Sequence, residues 1–93
     1  MIKAFRDRTT AAVAKGDCPK GFPANLVRVA VRKFGQLDSA EELASLMVPP
    51  GNRLEALRGD RVGQHSVRIN DQWRICFEWR DGDAWNVEIV DYH

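Results

Sequence analysis

The chain has 93 residues, 44% of them hydrophobic and 29% charged, with a formal net charge of +1 at pH 7. That length leaves room for one hydrophobic core, and the composition excludes a disordered chain. No window approaches the roughly 20 apolar residues of a membrane span, and the charged start "MIKAFRDRTT", without a long apolar stretch, is not expected to be a secretory leader. A single cytoplasmic domain over residues 1–93, with no membrane partner, is expected.

The charge is unevenly spread. Residues 1–49 carry eight Lys/Arg against five Asp/Glu, whereas residues 50–93 carry six against eight. All six cations of the second half are arginines, whose planar fork suits bidentate phosphate contacts better than a diffuse attraction to nucleic acid. Cys18 and Cys76 stand in unlike settings, so both are expected reduced, with neither a metal motif nor a disulfide framework.

Residues 1–5, "MIKAF", read as a short edge strand. "TTAAVAK" favours a short helix beginning at Asp7 or Thr9 and stopped by Gly16. Two glycines and two prolines within "GDCPKGFP" make a loop of residues 16–23. Beyond Pro23, Leu26, Val27, Val29, Ala30, Val31, Phe34 and Leu37 are spaced as the buried face of a helix, with Arg28, Arg32 and Lys33 on its other side. Ser39 with Glu42 three residues on predicts a capping box opening a second, short helix, which "VPPGN" ends.

From Arg53 the period changes to two. "NRLEALRGDR" reads as a short strand running into a loop. In "QHSVRINDQWRICFEWRDGDAWNVEIV" one phase holds His65, Val67, Ile69, Trp73, Ile75, Phe77, Trp79, Trp85, Val87 and Ile89. The other phase holds Gln64, Ser66, Arg68, Gln72, Arg74, Cys76, Glu78, Arg80, Asn86 and Glu88. Three antiparallel strands follow, turning at Asn70-Asp71 and Asp81-Gly82. The predicted fold is α+β, with N-terminal helices packed on one face of an antiparallel sheet whose polar face stays open.

That open face is where chemistry is expected. It carries Arg53, Arg58, Arg61, Arg68 and Arg74 with Glu55 among them, a set that suits a phosphodiester ringed by donors beside one proton acceptor. A solvated face laced by ion pairs, such as Glu78 with an arginine, is the plainer alternative. His65 falls in the apolar phase and reads as structural. Trp73, Trp79 and Trp85 are spaced for the core rather than for stacking on bases. With no phosphate loop and no cluster of metal ligands, no cofactor and no metal are expected. RNA cleavage works without either, because the 2′-hydroxyl is a built-in nucleophile that needs a base, cations and an acid.

Three strings narrow the choice: "L-x-x-L-x-G-x-R", "N-x-x-W-R-I-x-F" and the terminal "D-Y-H". Together with the rest of the chain from "MIKAF" onward, they make it similar to the HigB branch of the RelE-type bacterial toxins. The resemblance implies a microbial-ribonuclease-like α+β fold and a toxin that cleaves translated mRNA in the ribosome's decoding site, without metal, inhibiting translation and growth. It implies a helix-turn-helix, HigA-like antitoxin, with operator DNA bound only through the toxin–antitoxin complex.

Carried over by position, Arg74 would hold the scissile phosphate and Arg58 would neutralise its charge. Arg53, Arg61 and Arg68 complete the substrate-binding set. Tyr92 and Glu55 are candidates for assisting 2′-hydroxyl deprotonation, His93 for protonating the 5′-oxygen, and Asp91 for orienting His93 or Arg74. Counting along the last strand puts Tyr92 in the polar phase with Arg74, and Asp91 and His93 in the apolar one. Two departures from the family stand out. Glu55 in Leu54-Glu55-Ala56-Leu57 replaces the histidine of "L-H-P-L", and the near-neutral charge predicts weaker ribosome binding than a basic homologue would show. Both point to a milder toxin, and to a rival reading as a non-cleaving inhibitor that binds the ribosome or an assembly intermediate.

Overall fold

The computed structural model describes residues 1–92. Helices α1 (Arg8–Ala14) and α2 (Val27–Ser39) precede strands β1 (Glu55–Ala56), β2 (Gln64–Arg68), β3 (Trp73–Arg80) and β4 (Asp83–Asp91). The strands form an antiparallel meander in the order β1-β2-β3-β4. The expected layering holds: the helices cover one face and leave the other to polar side chains.

Local chemistry explains the helix starts and stops. The Asp7 carboxylate accepts the Thr10 N–H at 2.7 Å, capping α1. Gly16, at φ +95°, closes that helix in the left-handed region a side chain would resist. Thr10 is buried, and its hydroxyl accepts the Ile89 N–H at 3.0 Å, fastening α1 to β4. Residues 1–5 run parallel to β4 through isolated bridges at Ile2 and Phe5, so the expected edge strand is present in fragmentary form. In the loop of residues 16–23, Phe22 is buried edge-on against Trp73, with ring centroids 5.0 Å apart.

The core joins Val13, Ala30, Phe34 and Leu37 from the helices to Val67, Ile75, Phe77, Ala84 and Val87 from the sheet. His65 lies on this face, stacked on Phe77 with ring centroids 6.2 Å apart, in the structural role its phase predicts. Four details of the sequence reading need correction. The Ser39 capping box does not form: α2 runs through Ser39, and Glu42 precedes a 3-10 turn (Leu43–Met47) with no side-chain cap. Nor is Asn70-Asp71 a two-residue hairpin; the turn is wider, closed by Ile69 N–H to Trp73 C=O at 2.9 Å, while Asn70 Oδ1 accepts the N–H groups of Gln72 and Trp73.

The third correction is Lys33, which is buried rather than on the polar side of α2. Its ammonium donates to Oδ1 of Asn52. Asn52 is fully buried, and its amide donates to Gln36 Oε1 at 3.0 Å and to the Leu46 carbonyl at 3.2 Å. A long stem on an apolar face is tolerated because its tip finds an acceptor. Burial first, and then Arg32 and Arg68, hold the Lys33 pKa below its ordinary 10.5. The unfolded chain therefore binds the extra proton in the window just below that value, so this group makes stability rise with pH there. We expect Asn52→Ala to cost roughly 2–3 kcal/mol by leaving the ammonium unpaired. Urea unfolding at neutral and alkaline pH should show the gap between wild type and Lys33→Met moving in favour of wild type as pH rises.

The fourth correction concerns Trp85. Cys76 pairs with Glu88 but Glu78 pairs with Trp85, so β4 spends one residue more than β3 between these rungs. Asn86 sits at this bulge with φ +51°. The extra residue inverts the side-chain phase. Trp85 therefore shares the open face with Glu78 and Arg80, while Ala84 takes a fully buried place in the core. Past the bulge, towards the chain end, the phase predicted for Ile89, Asp91 and Tyr92 is kept.

Candidate active site

One rung crosses all four strands on the open face. Glu55 pairs with Ser66, Ser66 with Cys76, and Cys76 with Glu88. The small central residues, Ser66 and Cys76, are fully buried on this nominally polar face because longer side chains close over them. An acid stands at each flank, and each acid holds an arginine.

Arg74 is the most constrained of these arginines. Its Nε donates to Ser66 Oγ at 2.7 Å, and Nη2 donates to the Arg53 carbonyl at 2.6 Å. Glu55 Oε2 lies 3.8 Å from Nη2. The Arg74 side chain is only 11% exposed, whereas that of Glu55 is 59% exposed. Arg53 sits at φ +45°, a left-handed conformation that costs an arginine on the order of 1 kcal/mol. Its carbonyl, in this conformation, clamps the Arg74 fork. Among the described residues, no hydrogen bond engages Nη1. One edge of the fork is thus fixed, which is preorganisation of the kind that stabilises developing phosphate charge.

At the other flank, Glu88 accepts from Arg61 Nη1 at 3.1 Å and lies 3.9 Å from Arg6 Nε. Arg61 also donates to Gln64 Oε1 at 3.0 Å. Burial works against the Arg61 charge, but the Glu88 hydrogen bond, with Cys76 and Tyr92 nearby, raises its pKa overall. The Tyr92 hydroxyl lies 3.8 Å from Cys76 Sγ, and the Tyr92 N–H donates to the Gln72 carbonyl at 2.6 Å, extending the ladder past β4. Burial and then Cys76 push the Tyr92 phenol above its usual range, only partly offset by Arg61 and Arg74. Burial likewise raises the Cys76 thiol, which leaves it protonated and unreactive.

The predicted site residues are therefore gathered unequally. Arg74, Arg61, Glu55 and Tyr92 meet at this rung, with Arg53 contributing its backbone carbonyl. Arg68 pairs with Arg74 across β2 and β3, but its guanidinium is engaged by Asp71 in the adjoining turn. Arg58 is exposed before the 3-10 turn (Gly59–Arg61). Asp91 pairs with Trp73, on the face opposite Arg74. His93 lies outside the described residues. Ser66, Cys76 and Glu88 stand on the face that their polar phase predicts, and two small residues in mid-strand, flanked by arginines, are the sequence signal that marks them. Among the described residues, no group of three or more His, Cys, Asp or Glu side chains is gathered as a metal site needs.

Residues 3–93 match the HigB-like toxin family, described as the RelE-like toxin of the type II toxin–antitoxin system HigB. The chain belongs to that family. Toxin HigB-1 of Vibrio cholerae serotype O1 is 42% identical over 68 residues, 73% of this chain and 72% of that one. Endoribonuclease HigB of Proteus vulgaris is 32% identical over 97 residues, spanning the whole of both chains. Among solved structures, the YoeB-YefM complex from Staphylococcus aureus matches with a TM-score of 0.63 at 15% identity, covering 100% of this chain and 98% of that one. That likeness concerns the fold. The HigB-like chain thus has the RelE-type architecture its sequence predicts, and it is a toxin of a toxin–antitoxin system.

Proposed function

We propose that this toxin is an mRNA endoribonuclease acting on the translating ribosome, by metal-independent attack of the 2′-hydroxyl on the adjacent phosphate. The observation that carries the reading is the clamped Arg74 fork on the same face as Tyr92 and Arg61. The full-length relative named an endoribonuclease supports it.

In this reading the 2′-oxygen forms a bond to phosphorus as the bond to the 5′-oxygen breaks. Arg74 and Arg61 stabilise the extra phosphorane charge, and exposed Arg58 adds a further cation. Glu55, exposed beside Arg74, is placed to receive the 2′-hydroxyl proton. In this reading Tyr92, its phenol pKa raised chiefly by burial, serves as a donor to the phosphoryl or leaving oxygen. His93 is the candidate acid for the 5′-oxygen. The partner that restrains the toxin is a HigA-like helix-turn-helix antitoxin, whose complex with the toxin binds operator DNA, and the setting is cytoplasmic.

One observation favours the non-cleaving alternative. Glu55 already lies 3.8 Å from Arg74 and sets a negative charge where phosphate must come. Translation on purified ribosomes separates the two readings: cleavage produces discrete mRNA fragments on adding wild-type protein, whereas blocking stalls ribosomes on intact message.

A further inference from the structure

The bulge in β4 leaves an indole on a face where the sequence period would not put one. Trp85 sits on the rung next to the Cys76–Glu88 pair, opposite Glu78. It is two rungs from Arg74, roughly 14 Å along the strand at about 3.4 Å per residue. The Arg80 guanidinium lies over its ring, 4.6 Å from the centroid. The Arg80 side chain is 56% exposed, so the stack is open to solvent beyond the guanidinium.

Both parts are held in place. The Trp85 indole N–H donates to the Arg80 carbonyl at 3.4 Å. Glu78 lies 3.8 Å from Arg80 Nε and accepts from the Asn86 amide at 2.7 Å. The device that turns the indole outward is Asn86 in the left-handed region, a conformation kept at some cost in energy. Bulges of this kind next to active sites re-aim side chains. Glu78 makes the spot poor for a phosphate, but a flat guanidinium–indole stack suits the face of an unpaired base.

We propose that Trp85, with Arg80 stacked on it, is a subsite for an unpaired RNA base flanking the phosphate held by Arg74. This rests on the endoribonuclease reading, and the test keeps the two apart. mRNAs carrying a single abasic ribose at each position near the cut are translated with wild-type toxin, Trp85→Phe, Trp85→Leu and Arg80→Gln. One abasic position should slow cleavage by wild type about fivefold or more, and Trp85→Leu should slow cleavage of intact mRNA similarly. The two losses should not add when combined, and Trp85→Phe should stay close to wild type. Arg80→Gln, which keeps the ring, decides the same cycle if Trp85→Leu does not fold. Additive losses, or a wild-type rate for both Trp85→Leu and Arg80→Gln, overturn the subsite while the enzymatic reading stands. No cleavage by wild type overturns both.

Discussion

Arg74→Ala should lower mRNA cleavage by about two to three orders of magnitude, as removal of a preorganised donor to a developing oxyanion does in other enzymes. The size of the effect follows from how Arg74 is held. Ser66 Oγ and the Arg53 carbonyl fix one edge of the fork, so the charge meets the phosphate without reorganising. Arg74→Lys should recover little, because an ammonium cannot span the hydroxyl, the carbonyl and the phosphate at once. Rates in a purified translation system measure both variants, and thermal unfolding separates lost chemistry from lost packing. Cutting at the wild-type rate by Arg74→Ala would remove Arg74 from the mechanism.

Tyr92→Phe should slow cleavage by about a hundredfold, within the range for loss of a proton-transferring group. It should leave stability nearly unchanged, since the phenol oxygen meets a thiol at 3.8 Å. The pH dependence assigns the role. With the phenol pKa raised above its usual 10.0, Tyr92 stays protonated across the neutral range. A donor in that state gives a rate that does not climb with pH between about 6.5 and 8.5. A tyrosinate base would instead make the rate climb about tenfold per pH unit, following the phenolate fraction.

Much of this was legible in the sequence because period and turn chemistry agreed. The two-residue alternation of Trp73, Ile75 and Phe77 against Arg74 and Cys76 sets the faces of β3. Asp81 and Gly82, at φ +52° and +78°, make the tight turn their dipeptide predicts. Alternation misled where one residue breaks the count. Asn86 carries no mark in sequence that separates a strand residue from a bulge, and everything before it in β4 changes face. Lys33 was misplaced because its acceptor, Asn52, is 19 positions away and only the fold brings them together. The candidate site was legible at Arg74, Glu55 and Tyr92, which polar phase or family motif marks. Glu88 and Ser66 act through neighbours on other strands, so their part appears only when the four-strand rung is assembled.

Direct attack by the 2′-hydroxyl at a phosphate held by Arg74 would be recorded in the chemical ends of mRNA cut during translation. The downstream fragment should carry a 5′-hydroxyl and the upstream fragment a cyclic 2′,3′-phosphate or its hydrolysis product, with both absent when Arg74→Ala replaces wild type. A 5′-phosphate on the downstream fragment, or ribosomes stalled on uncut message, would contradict it.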